Sequence, residues 1–448
     1  MSHVFQRHCH HALPIASQGD GIYLIDSQGK RYLDACGGAA VSSLGHSHPA
    51  IREALHKQID QLAFAHTGFF SNHPAEALAE FLADKAPGQL EYCYFVSGGS
   101  EAMESALKLA RQYFVERGET QRKRFIARRQ SYHGNTLGAL AVGGNQWRRA
   151  PFSPLLMEAE HIAPCYAYRD KLPDESDSQY GKRVANELEQ RLLEVGPESV
   201  IAFVAEPVVG ATAGALPAVE GYFKRVREIC DHYGILLILD EVMCGMGRCG
   251  EWFTHAAEGV EADIVAVAKG LGAGYQPVGA TIVSRDIYHT VASGTGYFQH
   301  GHTYLAHACA MQASLAVMQT IEQQNLLDAV KQQGEYLQQQ LSKAFSDHPH
   351  VGDIRGRGLF WGLELVAERA NKTPFPASSG LDKKIKASAF AKGLMCYPNA
   401  GTIDGQNGHH ILLAPPFIIE QAQIDAVVAT LSECIDQQTR MAAAEKVA

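Results

Sequence analysis

The stretch "DIVAVAKGLGAGYQP", residues 263–277, decides the fold. "IVAVA" is apolar on both faces, as suits a strand in a mostly parallel sheet covered by helices on each side. The run ends in Lys269. An ammonium group gains nothing from a buried strand, so a lysine there needs a chemical reason.

Similar runs recur through the middle of the chain: "YCYFVSG" (92–98), "RFIARR" (124–129), "SVIAFVAE" (199–206), "GILLILDE" (234–241) and "GATIVS" (279–284). Amphipathic helical patterns separate them. "EAMESALKLARQYFVERG" sets Met103, Ala106, Leu107, Ala110 and Phe114 on one face, and "YFKRVREICDHYG" does the same with Phe223, Val226, Ile229, Cys230 and Tyr233 before stopping at Gly234. Residues 20–34, "DGIYLIDSQGKRYLD", read as a small antiparallel hairpin around "DSQG". A long helical stretch runs from about 305 to 345, followed by strand-like "VGDIRGRGLFWGLELV" and "HHILLAPPFI" and a closing helix from about 420. The fold class is therefore α/β: a large helix-covered sheet domain and a smaller α+β domain built from both chain ends.

Bulk properties exclude several functions. The 448 residues exceed one simple core, and 46% hydrophobic with 19% charged residues is an ordinary globular composition. A net charge of -9 argues against a nucleic-acid partner, which needs a basic face. No apolar run approaches the ~18 residues of a membrane helix. "MSHVFQRHCHHALP" has no apolar leader, so a cytoplasmic location is expected. The ten cysteines form no CxxC pair and read as free thiols packed as small hydrophobes. Histidine clusters at 8–11, 45–49 and 300–302 lack zinc-site spacing, and no metal is expected.

In open parallel sheets ligands bind beyond the carboxyl ends of the strands. "YCYFVSGGSEAMES" passes through Ser97-Gly98-Gly99-Ser100 straight into a helix, either a phosphate cradle of backbone N–H groups or a glycine turn with a serine cap. "RFIARRQSYHG" ends in Tyr132-His133-Gly134, where the tyrosine stacks on a flat ring or packs in a loop. "SVIAFVAEPVVG" ends in Glu206 and "GILLILDEV" in Asp240-Glu241, acids that want a cationic partner. Together with Lys269 these features describe a site for a flat, phosphorylated, nitrogen-containing cofactor, and pyridoxal 5'-phosphate fits each demand. The cradle takes its phosphate, Asp240 keeps its ring nitrogen protonated, Tyr132 and Val242 cover its faces, and Lys269 forms a Schiff base with its aldehyde.

Along nearly its whole length the chain resembles the class III (omega-type) aminotransferases, which have the type I fold of pyridoxal-phosphate enzymes. The resemblance is carried by "GIYLIDSQGKRYLDACGGAAVSSLGHSHP", "VSGGSEAMESALKLAR", "SYHG", "AEPVVG", "LILDEVMCGMGRCGEW", "AKGLGAGYQPVGA", "GHTY", "GRGLFWGLEL" and "LLAPPF". It implies a mostly parallel seven-stranded sheet in a large domain at 66–335, with a small domain from 1–65 and 336–448. Lys269, Asp240 and Glu206 match catalytic positions, and Gly99, Ser100, Tyr132, His133 and Val242 match cofactor-binding ones. Thr303 matches a threonine that reaches the phosphate of the neighbouring subunit, which implies a homodimer, or a dimer of dimers, with shared active sites. The implied reaction moves an amino group from an amine or omega-amino acid to an oxo acid of the pyruvate or 2-oxoglutarate type, through the lysine Schiff base and a pyridoxamine form.

Many relatives carry a carboxylate-binding arginine between the last "GL" and "PP", but "GLMCYPNAGTIDGQNGHHILLAPP" has neither arginine nor lysine. Tyr397 stands near the expected place. His409 or His410 offers a partial substitute, though a histidine pair in a hairpin reads as surface. Arg355 and Arg357 in "DIRGRG" are further cations, with Arg355 in a turn motif. Phe69 and Phe70, near the small pair Ala39 and Ala40, read as entrance-lining or core aromatics. The same scaffold supports a decarboxylase or an aminomutase, because the pocket selects which bond breaks. A dinucleotide site at "GLGAG" (270–274) fails on glycine spacing and on the missing acid about 20 residues on. A non-enzymatic protein would have no reason to retain this lysine, these acids and this cradle at strand ends.

Overall fold

Seven strands form the central sheet: β1 Leu90–Val96, β2 Arg124–Arg128, β3 Glu160–Ile162, β4 Val200–Ala205, β5 Leu236–Asp240, β6 Ile264–Ala268 and β7 Gly279–Ser284. The computed structural model describes residues 3–10 and 12–445. The spatial order is β1-β7-β6-β5-β4-β2-β3. Neighbours from β6 to β3 are parallel, while β7 runs antiparallel to both β6 and β1. β3 has only three residues and sits at an edge, too short to stand out as an apolar run.

Strand alternation sorts the side chains into two layers. Val204, Ile238, Ile264 and Ala266 pack with Met103, Ala106, Ala110 and Phe114 of helix α1 (Gly99–Glu116). Their neighbours Phe203, Leu237, Leu239 and Val265 face the opposite way, against Phe223, Val226 and Ile229 of helix α2 (Tyr222–Tyr233). Each Val, Leu, Ile, Phe or Met among them contributes about 1.5–3 kcal/mol by leaving water. The same alternation parts the two acids that close β5. Asp240 falls on the Ile238 side. Glu241 falls on the other, where it accepts hydrogen bonds from the backbone N–H groups of Thr254 (2.6 Å) and His255 (2.8 Å). Glu241 is thus a structural anchor for the 254–258 turn.

The long helical stretch is two helices, α3 (Ala308–Gln323) and α4 (Leu326–Phe345). Asn325 breaks it with a left-handed φ of 51°. Asparagine tolerates that conformation better than most residues.

Both chain ends do meet in one sheet. Arg31–Asp34, from the N-terminal strands, pairs in parallel with Leu394–Met395. A second antiparallel sheet has the order Val351–Arg357, Phe360–Leu365, His409–Leu413, Tyr397–Ala400. All ten cysteines are free, and eight are buried. Among the described residues no helix is long and apolar enough to cross a membrane, and no group of three or more metal-ligating side chains gathers. His11 of the first histidine cluster lies outside the described residues.

Arg355 lies inside a strand, where a turn motif was expected. It is buried and held by Glu364 (2.6 Å) and Asp353 (2.7 Å), and it donates to the carbonyls of Ala213 and Gly214. It fastens the C-terminal sheet to the loop after β4 and has no capacity left for a substrate. Arg355→Met, which leaves Glu364 buried without this partner, should destabilise the protein by about 3–5 kcal/mol. The shift of the denaturant midpoint would measure it; an unchanged midpoint would contradict the fastening role.

Candidate active site

The carboxyl ends of β1, β2, β4, β5 and β6 surround a cavity of about 430 Å³. Its lining includes Ser97 to Ser100, Tyr132 to Gly134, Glu206, Asp240, Val242 and Lys269. Every predicted site residue except Thr303 is therefore brought to one place.

The helix start is open. Helix α1 is capped by Gly98 without any side-chain hydrogen bond, and Ser100 is already its second residue, so the serine-cap alternative does not hold. The first-turn N–H groups of such a helix have no intrahelical acceptors and carry its positive dipole end. A Cβ on Gly98 would meet nothing within 4 Å, whereas one on Gly99 would lie 2.8 Å from Val242. Ser100 Oγ accepts a hydrogen bond from the Asn135 N–H (3.1 Å), tying the helix start to the loop after β2. Gly134 allows this approach: its φ is +134° and a Cβ there would sit 2.8 Å from Ser100 Oγ.

Asp240 is buried. Its Oδ2 accepts from His133 Nδ1 (2.9 Å) and its Oδ1 from the Val242 N–H (3.0 Å), which fixes the carboxylate plane. Glu206 is buried as well and accepts from the backbone N–H groups of Tyr132 (3.0 Å) and Gly210 (2.8 Å), so it holds the Tyr132 backbone in place. Burial raises the Glu206 pKa.

Lys269 sits in a strained backbone position, φ 48°. Its ammonium faces the cavity and makes no hydrogen bond or ion pair among the described residues. Shielding from bulk water lowers its pKa to about 8, against the pull of Asp240 and Glu206 in the other direction. Left-handed backbone at a non-glycine residue is stored strain, of a kind that persists at functional sites.

These residues fit pyridoxal phosphate: a glycine-opened helix start, a paired acid, two flanking side chains and an unpaired amine share one cavity. The family model for class III aminotransferases matches residues 4–435. The chain belongs to the class III aminotransferases. It is 43% identical over 439 residues to an uncharacterized aminotransferase of Schizosaccharomyces pombe, covering 97% of this chain and 95% of that one. It is 33% identical over 425 residues to a putrescine–pyruvate aminotransferase of Pseudomonas aeruginosa, covering 94% and 90%. An omega transaminase of Pseudomonas jessenii, solved in complex with PMP, superposes with a TM-score of 0.92 at 30% identity, covering 99% of this chain and 97% of that one. This class III aminotransferase is accordingly an enzyme of the type I fold that depends on pyridoxal phosphate.

Several expectations change. His409 and His410 are fully buried, not at the surface. His410 bonds Thr402 (2.6 Å), and burial lowers its pKa to about 3, so it is no cation at neutral pH. Arg357 pairs with Glu258 (2.9 Å). Phe69 and Phe70 are 82% and 68% exposed and do not line the cavity of their own chain, so neither is a core aromatic. Thr303 is exposed on the 301–304 segment, outside the cavity. Tyr397 does not line the cavity itself but packs against a small apolar cluster that includes the lining residues Val208 and Met243. Val41 and Gln276 also reach the cavity; both lie in stretches that carry the family resemblance, but neither stands out there as a site residue.

The lowered lysine pKa has a direct consequence. Below about pH 8 the Lys269 amine is protonated and not nucleophilic; above it the neutral form dominates. The rate at which cofactor-free protein takes up pyridoxal phosphate at this lysine should therefore rise with pH through about 8 and then level. A midpoint near the ordinary 10.5 would mean that the amine is open to water.

Proposed function

We propose that this class III aminotransferase transfers an amino group from an amine or omega-amino acid to an oxo acid of the pyruvate or 2-oxoglutarate type. The observation that carries the reading is the unpaired, desolvated Lys269 ammonium facing Asp240 and Glu206 at the mouth of a glycine-opened helix.

Bound pyridoxal phosphate supplies an aldehyde for the amino group and an electron sink for the carbon beside it. The Ser100 hydroxyl and the N–H groups around Gly99 hold its phosphate. Tyr132 and Val242 bracket its ring, and Asp240, oriented by His133, keeps the ring nitrogen protonated. Glu206 fixes the Tyr132 side of the pocket through two backbone bonds. Lys269 Nζ, with a pKa of about 8, would accept the proton from the donor carbon as base and then, as acid, deliver it on the cofactor side rather than back to that carbon.

The working form is a homodimer or a dimer of dimers, with Thr303 reaching the partner's phosphate site. Support comes from aromatic residues left exposed: next to Thr303, Tyr304 at 61% and Phe64, which meets Tyr304 edge to face at 5.8 Å, and further along the chain from Phe64, Phe69 and Phe70. Such exposed aromatics mark interfaces. A large domain at 66–335, a small domain from 1–65 and 336–448, and a cytoplasmic location complete the reading.

Lys269→Ala should cost about 10²–10⁴-fold in turnover from lost proton transfer alone, and more from the lost covalent link to the cofactor. Across alkylamines, omega-amino acids and dicarboxylic alpha-amino acids, the first two should be the better donors, since residues 394–415 hold no arginine or lysine for a second carboxylate. A strong preference for a dicarboxylic alpha-amino acid donor would overturn the substrate assignment.

A further inference from the structure

An oxo acid brings a carboxylate into a cavity that already holds Glu206, Asp240 and a site for a phosphate. Such a substrate needs a cation, and the usual segment offers none. The arginines of the C-terminal sheet and of the loop after β5 are occupied. Arg355 and Arg357 are paired with acids, and Arg248 is buried, donating to the carbonyls of Leu359 and Pro415.

Arg148 differs from all of these. It lies on the short helix Gln146–Arg149, is half-buried, and its guanidinium has no acidic partner among the described residues. Its guanidinium stacks on rings, against the cavity lining rather than in it. The guanidinium carbon stands 4.7 Å from the centroid of Tyr132, a cavity-lining residue, and 5.8 Å from that of Trp147. Stacking on an aromatic face leaves the edge N–H donors of a guanidinium free for a carboxylate.

The local structure holds this placement. Asn145 caps the helix through the Arg148 backbone N–H (3.2 Å). A Cβ on Gly405 would come within 3.3 Å of the Trp147 backbone nitrogen, so the 401–408 loop lies directly against the helix. Gln130 Nε2 in turn donates to the carbonyls of Gly401 (2.6 Å) and Thr402 (2.9 Å). The segment that lacks the expected arginine therefore buttresses the element that carries Arg148. Its charge reaches the chemistry: burial lowers the Lys269 pKa and Arg148 adds to that, while burial raises the Tyr132 phenol pKa against the opposing charges of Arg148 and Arg7.

We infer that Arg148 is the carboxylate receptor for the oxo-acid substrate and that, as a single cation, it selects monocarboxylic acids of the pyruvate type. The inference rests on the transamination reading above and names the substrate-recognising residue of that same site.

The test uses the holoenzyme with Arg148→Gln and Arg148→Lys, pyruvate as acceptor, 1-butylamine as donor and propionate as an unreactive carboxylate. Loss of one charge-assisted contact should raise KM for pyruvate and weaken propionate binding by calorimetry about 10–100-fold in Arg148→Gln. The kcat and the butylamine half-reaction should lose far less, and Arg148→Lys should recover part of the loss. Equal losses in both half-reactions would show that Arg148 only supports Tyr132 and would overturn the assignment. Unchanged propionate affinity in Arg148→Gln would overturn it as well. Failure of the transamination reading is distinguishable, because it would appear in the wild type as absence of turnover with both substrates, while the propionate titration would still decide the role of Arg148.

Discussion

The desolvation of one ammonium group organises this molecule. The Lys269 ammonium is held without a hydrogen-bond partner among the described residues at the carboxyl end of β6, on a backbone conformation that costs strain. Two carboxylates lie in the same cavity, yet neither closes an ion pair with it within the described residues. Each is satisfied elsewhere, Asp240 by His133 and Val242, Glu206 by the backbone of Tyr132 and Gly210. An ammonium paired at close range would be a poor nucleophile; one that is merely desolvated is a good one. The hydrogen bonds that keep the acids away from the lysine are therefore as important as the lysine.

Parallel pairing makes this arrangement possible. β5 and β6 run side by side with Asp240 opposite Ala266, and Lys269 follows three residues later. Because the neighbouring strands point the same way, their chemical termini collect at one end of the sheet, where helix α1 also begins. The small sheets add a wall. Arg355 and Glu364 lock the C-terminal sheet to the loop after β4, and Tyr397 packs against the small apolar cluster that includes the cavity-lining Val208 and Met243.

Most of the fold was legible because buried parallel strands read as short apolar runs and the two helical faces repeat at 3–4 spacing. β3 was not, since three edge residues carry too little pattern. The break at Asn325 was hidden inside a continuous helical composition and appears only as a left-handed φ. At the site, the residues placed at strand ends arrived where expected. The misreadings concern residues whose meaning depends on distant partners. Arg355, His409 and His410 look like available polar groups in the sequence, but neighbours far along the chain bury them. Glu241 looked like a twin of Asp240 until alternation sent it to the opposite face. Arg148 drew no notice, because nothing in "NQWRRA" announces its stacking on Tyr132.

The most direct test of the central claim is to load the wild-type protein with pyridoxal phosphate, reduce it with borohydride and map the modified peptide. The account predicts one stoichiometric modification, on Lys269. Modification of a different lysine, or low-level labelling scattered over the surface, would contradict it.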